Sequence, residues 1–559
     1  MTTFYGGRAE VKIRKTPVKV RYMDFASMYP AIFVSMDLWN LLITKEVEYE
    51  DAAEETCRLL KHTTLETILD SSFWKKFPII VLVKPDNDIL PVRTHFDKDN
   101  VWNIGICEVT SKKGLWYALP DVIASILLTG RYPKILKAIK FKPKGVQVGL
   151  HDIEIVGGIK ISKNEDLIEK LVEYRRAKRR ERDKYARDAS EFARLDREQD
   201  ALKTIANSVS YGIFIEVNTE GMGENVDVYG LKHFRAKASK KESFGRYYHP
   251  VIATMLTSGA RLMIAIAEAW LKEHRGYYAF CDTDGIAVSP KHWLKLQQFF
   301  EPLNPFKAGE PLLKFEKENH EKNGNFVQLW FYGISAKRYV LYHLEDGAPV
   351  SVKWSLHGLG HLQREENWEK ELWTNILRHA FGQIGKEELL SCYSGEHAVS
   401  KLVVSTAHVL NRIKALNIGR KFRDQVKPYN FVSVGYPSIT NDRGELIHPV
   451  AKFGDSKLAP FQPFIDYATG KLYTEYAESY WRTLESTIEQ YIDHPESKFR
   501  DGDATGKLHR RCIKVKKICY IGKETNELDE TEILGVDKDT YTEYRIKADR
   551  RSLKRLKGF

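Results

Sequence analysis

The feature that most restricts this chain is a pair of acidic strand ends far apart in sequence. Residues 11 to 24 alternate as a β-strand that runs into Asp24, and a Tyr-Pro pair at 29–30 opens a helix, "PAIFVSMDLWNLL". Much later, "GYYAFCDTDGIAV" (276–288) reads as a hairpin, two β-rich arms around a turn that carries Asp282 and Asp284. A carboxylate at the mouth of a buried strand is costly unless something offsets its charge. Asp282 and Asp284 lie two apart, so in extended backbone they leave the same face. With the hairpin beside the first strand, three carboxylates would converge. Alone they would repel and take up protons, and a pair of divalent cations removes that cost. Hard oxygen ligands suit Mg²⁺ or Mn²⁺. Two such ions about 4 Å apart stabilise both the attacking and the leaving oxygen of a phosphoryl displacement. A bare Asp-x-Asp in a turn is usually a cap or a solvated loop, so its company decides.

Between and beyond these segments the pattern is mixed. Residues 46 to 160 hold strand-like pieces broken by "KPDND" and "KPKG". Residues 163 to 206 read as a long charged helical stretch and a shorter one. A further helix, "VIATMLTSGARLMIAIAEAWLKEH", sets Leu262, Ile266 and Trp270 at four-residue steps. Residues 360 to 430 look helical, the last 130 are mixed, and no internal repeat or Gly/Ser linker appears.

The 559 residues suffice for several domains of core. The six cysteines lack C-x-x-C spacing, so a disulfide framework or zinc site is not expected and a reducing compartment is the default. No run reads as long enough to cross a bilayer, and the N-terminus lacks the look of a secretion signal. The expected location is therefore cytoplasmic (nucleoid-associated) or nuclear, without membrane contact. A net charge of +12, concentrated in "YRRAKRRERDK" (174–184) and the closing "KADRRSLKRLKGF", points to a polyanionic partner, with solvated helix faces as the alternative.

The motifs, taken in order, resemble the family B DNA polymerases. "DFASMYP" (24–30) looks like their motif A, "QDALKTIANSVSYG" (199–212) like motif B, and "FCDTDG" (280–285) like motif C. "YGG" (5–7) matches the segment preceding the palm, "TSGAR" (257–261) resembles a template-contacting T-x-x-G-R, and "KRY" (337–339) a K-x-Y primer contact. The resemblance covers residues 4 to 345 and the remainder only loosely. It implies an α/β (α+β) right-hand architecture with an antiparallel-sheet palm and helical fingers and thumb. The expected parts are palm at 1–45 and 216–355, an insertion at 46–160, fingers at 161–215, thumb at 356–430, and a C-terminal extension at 431–559.

The resemblance also implies roles. Asp24 and Asp284, with the backbone carbonyl of Phe25, would hold two Mg²⁺ or Mn²⁺ ions, with Asp282 close by. Backbone N–H groups of 25 to 28, including Ser27 and Met28, would receive a triphosphate at the start of the helix. Tyr29 would lie under the sugar and exclude a 2′-hydroxyl; it could also be a core tyrosine. Lys203, Arg175, Arg179 and Asn207 would complete nucleotide binding, although Arg176 and Lys178 fit the same pattern after a one-residue shift. Tyr5, Gly6, Gly7, Tyr211, Gly212, Thr257, Arg261, Lys337 and Tyr339 would contact DNA. Primer-template DNA and deoxynucleoside triphosphates follow as partners. A separate exonuclease chain and a sliding clamp remain open, since few residues precede "YGG" and the tail "LKRLKGF" is basic with apolar Leu556 and Phe559.

Several positions depart from the family pattern. Motif B is one residue longer than usual, motif C has Phe280 and Gly285 for Tyr and Ser, and Ala260 stands where a glycine is expected. His357 and His361 in "WSLHGLGHL" read as a turn rather than a metal site, because glycines intervene. The function expected is template-directed DNA synthesis by two-metal nucleotidyl transfer. The alternatives are a non-catalytic DNA-binding subunit, or synthesis on RNA or without a primer.

Overall fold

The computed structural model describes residues 3–95, 102–155, 157–210, 212–221, 225–229, 233–237, 240–306, 309–321, 324–357, 359, 367–394, 397–399, 419, 439–440, 446–447, 465–466, 481–499, 510–515, 518–519 and 527–528. The chain divides into two compact units, one of residues 1–336 with 496–559, the other of residues 337–495. The boundary falls inside the span expected to be a second palm segment, and the C-terminal residues group with the first unit. The architecture is mixed α/β with several antiparallel sheets.

The strands that position the site belong to the first unit: β1 (Ala9–Val11), β2 (Val18–Phe25), β3 (Tyr278–Asp282), β4 (Gly285–Val288), β5 (Leu313–Phe315) and β6 (Leu329–Ser335). The order runs β1-β3-β4-β2, and the far side of β2 is shared by β5 against Met23–Phe25 and β6 against Val18–Val20, every pair antiparallel. The expected single strand from 11 to 24 is thus two, because the chain turns away at 12–17. At the end of β2, Met23 and Phe25 enter the core while Asp24 between them is half-buried.

Five helices matter to the site: α1 (Met28–Ser35), α2 (Leu119–Thr129), α3 (Leu167–Arg182), α4 (Ser190–Ser210) and α5 (Pro250–Glu273). Pro30 is the third residue of α1, still in the turn where N–H groups lack helical partners. The helix expected to run to Leu42 stops at Met36, since Asp37 is left-handed (φ 55°) and a short second helix restarts at Leu38. Aspartate tolerates that conformation better than most residues, which is why the break falls there. Helix α5 is buried around nearly its whole circumference because α1, α2 and β3 all pack on it. By length and hydropathy it could cross a membrane, contrary to the sequence expectation, but 89% of its apolar window is buried inside the protein. A Cβ on Gly259 would come within 2.6 Å of Ile32, so glycine there lets α1 and α5 cross closely.

The span 46–160 contains a four-stranded antiparallel sheet (Thr44–Asp51, Lys134–Val146, Ile79–Lys84, Leu115–Ala118) and a separate pair, Asp86–His95 with Trp102–Ser111. The C-terminal strand Cys512–Val515 adds to that pair in parallel. In the second unit, Arg338–Glu345 and Ala348–Leu356 form a hairpin, and helix Trp368–Ala380 is fixed to it by Trp354 donating to Glu369 at 2.8 Å. The helical expectation for 360–430 is met at Trp368–Ala380 and Lys386–Ser391. His397–Val399 is instead a short strand, and His361, most of 400–430 and the tail at 547–559 lie outside the described residues.

Candidate active site

The register of β2 and β4 places Gly285 directly opposite Asp24. The Phe25 N–H donates to the Asp284 carbonyl at 2.9 Å, and the Asp284 N–H to the Asp282 carbonyl at 2.8 Å. Three acids, two of them 260 residues from the first or nearly so, are therefore neighbours at one end of one sheet. Asp24 and Asp282 are half-buried and Asp284 is exposed, so the group opens to solvent.

Both turns that carry these acids are unusual. Ser27, just past Asp24, is left-handed at φ 53°, and Thr283, between the two later aspartates, at φ 64°. A β-branched residue rarely adopts that conformation; holding it costs on the order of 1–3 kcal/mol, supplied by the surroundings. Here the Thr283 N–H donates to the Arg8 carbonyl at 2.8 Å. Gly7 lies against the same threonine, and a Cβ on it would stand 2.9 Å from Thr283 Cγ2. The "YGG" segment thus supports the acidic turn from beneath.

Two departures from the motif have a packing cause. A Cβ on Gly285 would meet the Tyr22 hydroxyl at 2.6 Å, so Tyr22 fills the space a serine side chain would need. Tyr22 stacks on Phe280 (5.9 Å between centroids), which stacks on Phe331 (4.9 Å). Phe280 is buried in that row, where a phenol would need a partner for its hydroxyl.

Helices α3 and α4 both pack on α1. Arg175 Nη1 donates to Ser27 Oγ at 3.2 Å, which selects Arg175 over its neighbours as the arginine beside the motif A turn. Arg176 points inward over Phe306, Lys178 pairs with Glu198 at 3.0 Å, and Arg179 is ion-paired with Glu310. The basic run at 174–184 is therefore largely engaged with acids of the chain itself. Lys203 and Asn207 are exposed, four residues apart on α4. Tyr29 is half-buried and packed on the core, and the Met28 side chain is buried. Of the four N–H groups expected to face a triphosphate, two are already engaged, Phe25 with Asp284 and Ala26 with Leu312 at 2.8 Å. That expectation narrows to Ser27 and Met28.

Three expected DNA contacts are corrected. Arg261 is buried: Nε and Nη2 form a two-point pair with Asp121 at 2.7 and 2.8 Å, and Nη1 donates to the carbonyls of Tyr5 and Gly6 at 2.7 and 2.6 Å. It ties "YGG" to α2 and α5 and has no surface for DNA. Thr257 is fully buried with its hydroxyl donating to Ala253 at 3.2 Å. The Tyr5 ring is fully buried and stacks on Tyr117. Gly6 faces open space. Gly212 is left-handed at φ 87°, and Tyr211 lies outside the described residues. Lys337 (φ 60°) and Tyr339, which is buried, belong to the second unit.

Sequence reading missed a second charged group behind the hairpin. Arg8 pairs with Glu10 and Glu268; Arg510 pairs with the same two acids, each at 3.0 Å; and Tyr278 donates to Glu10 at 2.6 Å. Burial alone would raise the Glu10 carboxyl, yet Arg510 and Arg8 hold it down at about 2. Nothing in local spacing could have linked positions 10, 268 and 510.

The acids at 24, 282 and 284 are all hard oxygen donors, the chemistry that Mg²⁺ and Mn²⁺ prefer. Among the described residues no three His, Cys, Asp or Glu side chains form a ready metal cage. An open two-carboxylate platform fits Mg²⁺ all the same, since that ion usually takes one or two carboxylates and completes its shell with water and substrate phosphates.

No protein-family model matches the chain, and no curated protein matches it. Among solved structures it is similar to the family B DNA polymerase from the hyperthermophilic archaeon Pyrobaculum calidifontis (15% identity, TM-score 0.31, covering 88% of this chain and 46% of that one). It is also similar to Phi29 DNA polymerase in an orthorhombic crystal form (14%, 0.32, 63% and 52%). A third is Phi29 DNA polymerase complexed with primer-template DNA and incoming nucleotide substrates (13%, 0.28, 64% and 52%). This chain spans about half the length of those solved chains. Likeness at this level identifies neither a family nor a function.

Proposed function

We propose that this chain is a template-directed DNA polymerase that adds deoxynucleotides to a primer 3′-hydroxyl. The observation that supports this reading is the β2–β4 register, which sets Asp24 beside the Asp282–Asp284 turn at the open end of the sheet. Asp24 and Asp284, with the Phe25 carbonyl, would hold two Mg²⁺ or Mn²⁺ ions, which when bound neutralise charge at the attacking and leaving oxygens. Arg175, beside Ser27, and the exposed Lys203 bring positive charge to the triphosphate, while Tyr29, braced by the core, limits the space beneath the sugar. The primer 3′-oxygen bonds to the α-phosphorus as the bond to the β-phosphate oxygen breaks. The hydroxyl proton passes to solvent and pyrophosphate leaves. Positioning and charge neutralisation carry most of such a transfer.

Primer extension on matched DNA and RNA templates, with and without primer, tests the reading. Extension on DNA that Asp24→Asn and Asp284→Asn each abolish is the expected result; a variant that still extends removes the assignment. Tyr29→Ala should admit ribonucleotides, read as a rise in the ribo/deoxy incorporation ratio.

A further inference from the structure

We propose that Arg510, delivered from the C-terminal segment, is a positioning residue for the acidic turn at 282–284, an inference that rests on the reading above for its catalytic consequence. The chain of contacts is short. Arg510 binds Glu10 on β1 and Glu268 on α5, each at 3.0 Å. Those two carboxylates also grip Arg8 from two sides. The Arg8 carbonyl is the acceptor for the Thr283 N–H at 2.8 Å, and it also lies 3.9 Å from the Cys281 thiol. Thr283 is the residue whose left-handed backbone separates the two aspartates. The strain there is held by its neighbours, and Arg8 is the neighbour that bonds to it.

The same segment makes a second attachment to β1. Glu496 Oε2 accepts from the Val11 N–H at 3.1 Å and from the Ala336 N–H at 2.8 Å, and its carboxylate is 2% exposed. Strand Cys512–Val515 adds in parallel to Trp102–Ser111, and Arg510 Nη1 also donates to the Ile106 carbonyl at 3.2 Å. The segment is thus attached to the sheet's edge strand β1 through Glu496 and Arg510, and to Trp102–Ser111 just after Arg510. Arg8, Glu10 and Arg510 are each less than 7% exposed, so water cannot substitute for a missing partner. Removing the Arg510 guanidinium leaves Glu10 and Glu268 to share Arg8, with Lys12 at 3.6 Å from Glu268 as the other nearby cation, and the geometry of the Arg8 carbonyl is what Thr283 reads.

The test compares Arg510→Gln, Arg510→Lys and Glu268→Gln with the wild type by hydrogen exchange of peptides spanning 278–288 and, as a control, 79–84 in the four-stranded sheet. Exchange of the Thr283 region should quicken by at least about tenfold in Arg510→Gln and less in Arg510→Lys, with the control peptide unchanged. Extension should show a lower kcat and a higher Mg²⁺ concentration for half-maximal rate, with little change in duplex affinity. Unchanged exchange at 278–288, or a rise shared equally with 79–84, overturns the proposal. If Arg510→Gln does not fold, Glu268→Gln, which keeps both guanidiniums, carries the same two outcomes. A wild type that does not extend primers would overturn the polymerase reading alone, because the exchange arm stands without it.

Discussion

Two groups of acids share the hairpin Tyr278–Val288 and handle charge in opposite ways. Glu10 and Glu268 are buried against two guanidiniums within ion-pair distance, so their charge is balanced within the fold. Asp24, Asp282 and Asp284 stand at strand ends on backbone held in left-handed turns, and Asp284 is exposed. The first arrangement is complete without a ligand and costs a great deal to break. The second gathers like charges where a cationic ligand can enter. One group holds the hairpin in place; the other would use that placement.

The sharpest way to break this contrast is to neutralise one acid from each group. Asp284→Asn should lower primer extension by on the order of a thousandfold or more while leaving the unfolding midpoint nearly unchanged. Glu10→Gln should do the reverse, with a stability loss of about 3–5 kcal/mol in denaturant titration, because two buried guanidiniums lose a shared partner. Equal stability losses in both variants would mean that Asp284 is structural too.

Acid titration sharpens the same contrast. The folded pKa of Glu10, about 2, lies below the ordinary 4.5, and Glu268 is likewise depressed by Arg8 and Arg510 against the opposing effect of burial. A depressed carboxyl contributes stability that is fully present above its unfolded pKa and is lost as pH falls through the folded one. Stability should therefore fall between about pH 4.5 and pH 2, by on the order of 3 kcal/mol for Glu10. Glu10→Gln should flatten that part of the profile. A profile of unchanged slope would remove the ion cluster as its cause.

What could be read from the sequence follows the same division. Asp24, Asp282 and Asp284 announce themselves because each sits at a fixed spacing from turn and helix signals, and the hairpin between them is local. The family pattern then suggested Arg261 and Thr257 as DNA contacts, and packing overrode it: Asp121, 140 residues away, claims the guanidinium. Arg8, Glu268 and Arg510 carried no signal, since a lone charge in a sequence does not reveal whether its partner is water or another residue. The break at Asp37 and the turn at 12–17 were missed because a single left-handed residue interrupts an otherwise continuous pattern.

A smaller effect concerns how the acidic turn is packed. Gly285→Ala pushes a methyl group into the Tyr22 hydroxyl, and Tyr22→Phe removes that oxygen. The single Gly285→Ala variant should lose about tenfold in extension rate, and the double variant should recover part of it. A double-mutant coupling of about 1 kcal/mol is the expected size for side chains in contact. Strict additivity would show that the space is not shared.

The smallest predicted effect uses a third kind of acid, half-buried, as the control. Asp166 caps α3, its Oδ1 accepting from the N–H groups of Ile168 and Glu169 at 2.8 and 3.1 Å. Burial raises its carboxyl from 3.8 to about 6 despite those two bonds, with Glu169 and Asp37 adding repulsion. Its charged neighbours are the acids Glu169 and Asp37 rather than a guanidinium among the described residues, and its pKa moves opposite to that of Glu10. A raised carboxyl means the folded state holds a proton that the unfolded state has released, so stability is greatest below about pH 4 and declines as pH rises to about 6. Asparagine keeps a capping oxygen and does not titrate. Asp166→Asn should therefore be neutral or destabilising at pH 4 and gain about 1 kcal/mol relative to wild type by pH 8, a figure reduced because the side chain is partly open to water. Thermal unfolding of the two proteins across that range reads the crossover. A constant difference at every pH would show that burial without a cation does not shift this acid, and the contrast between the two groups at the hairpin would then owe less to their guanidiniums than to their depth.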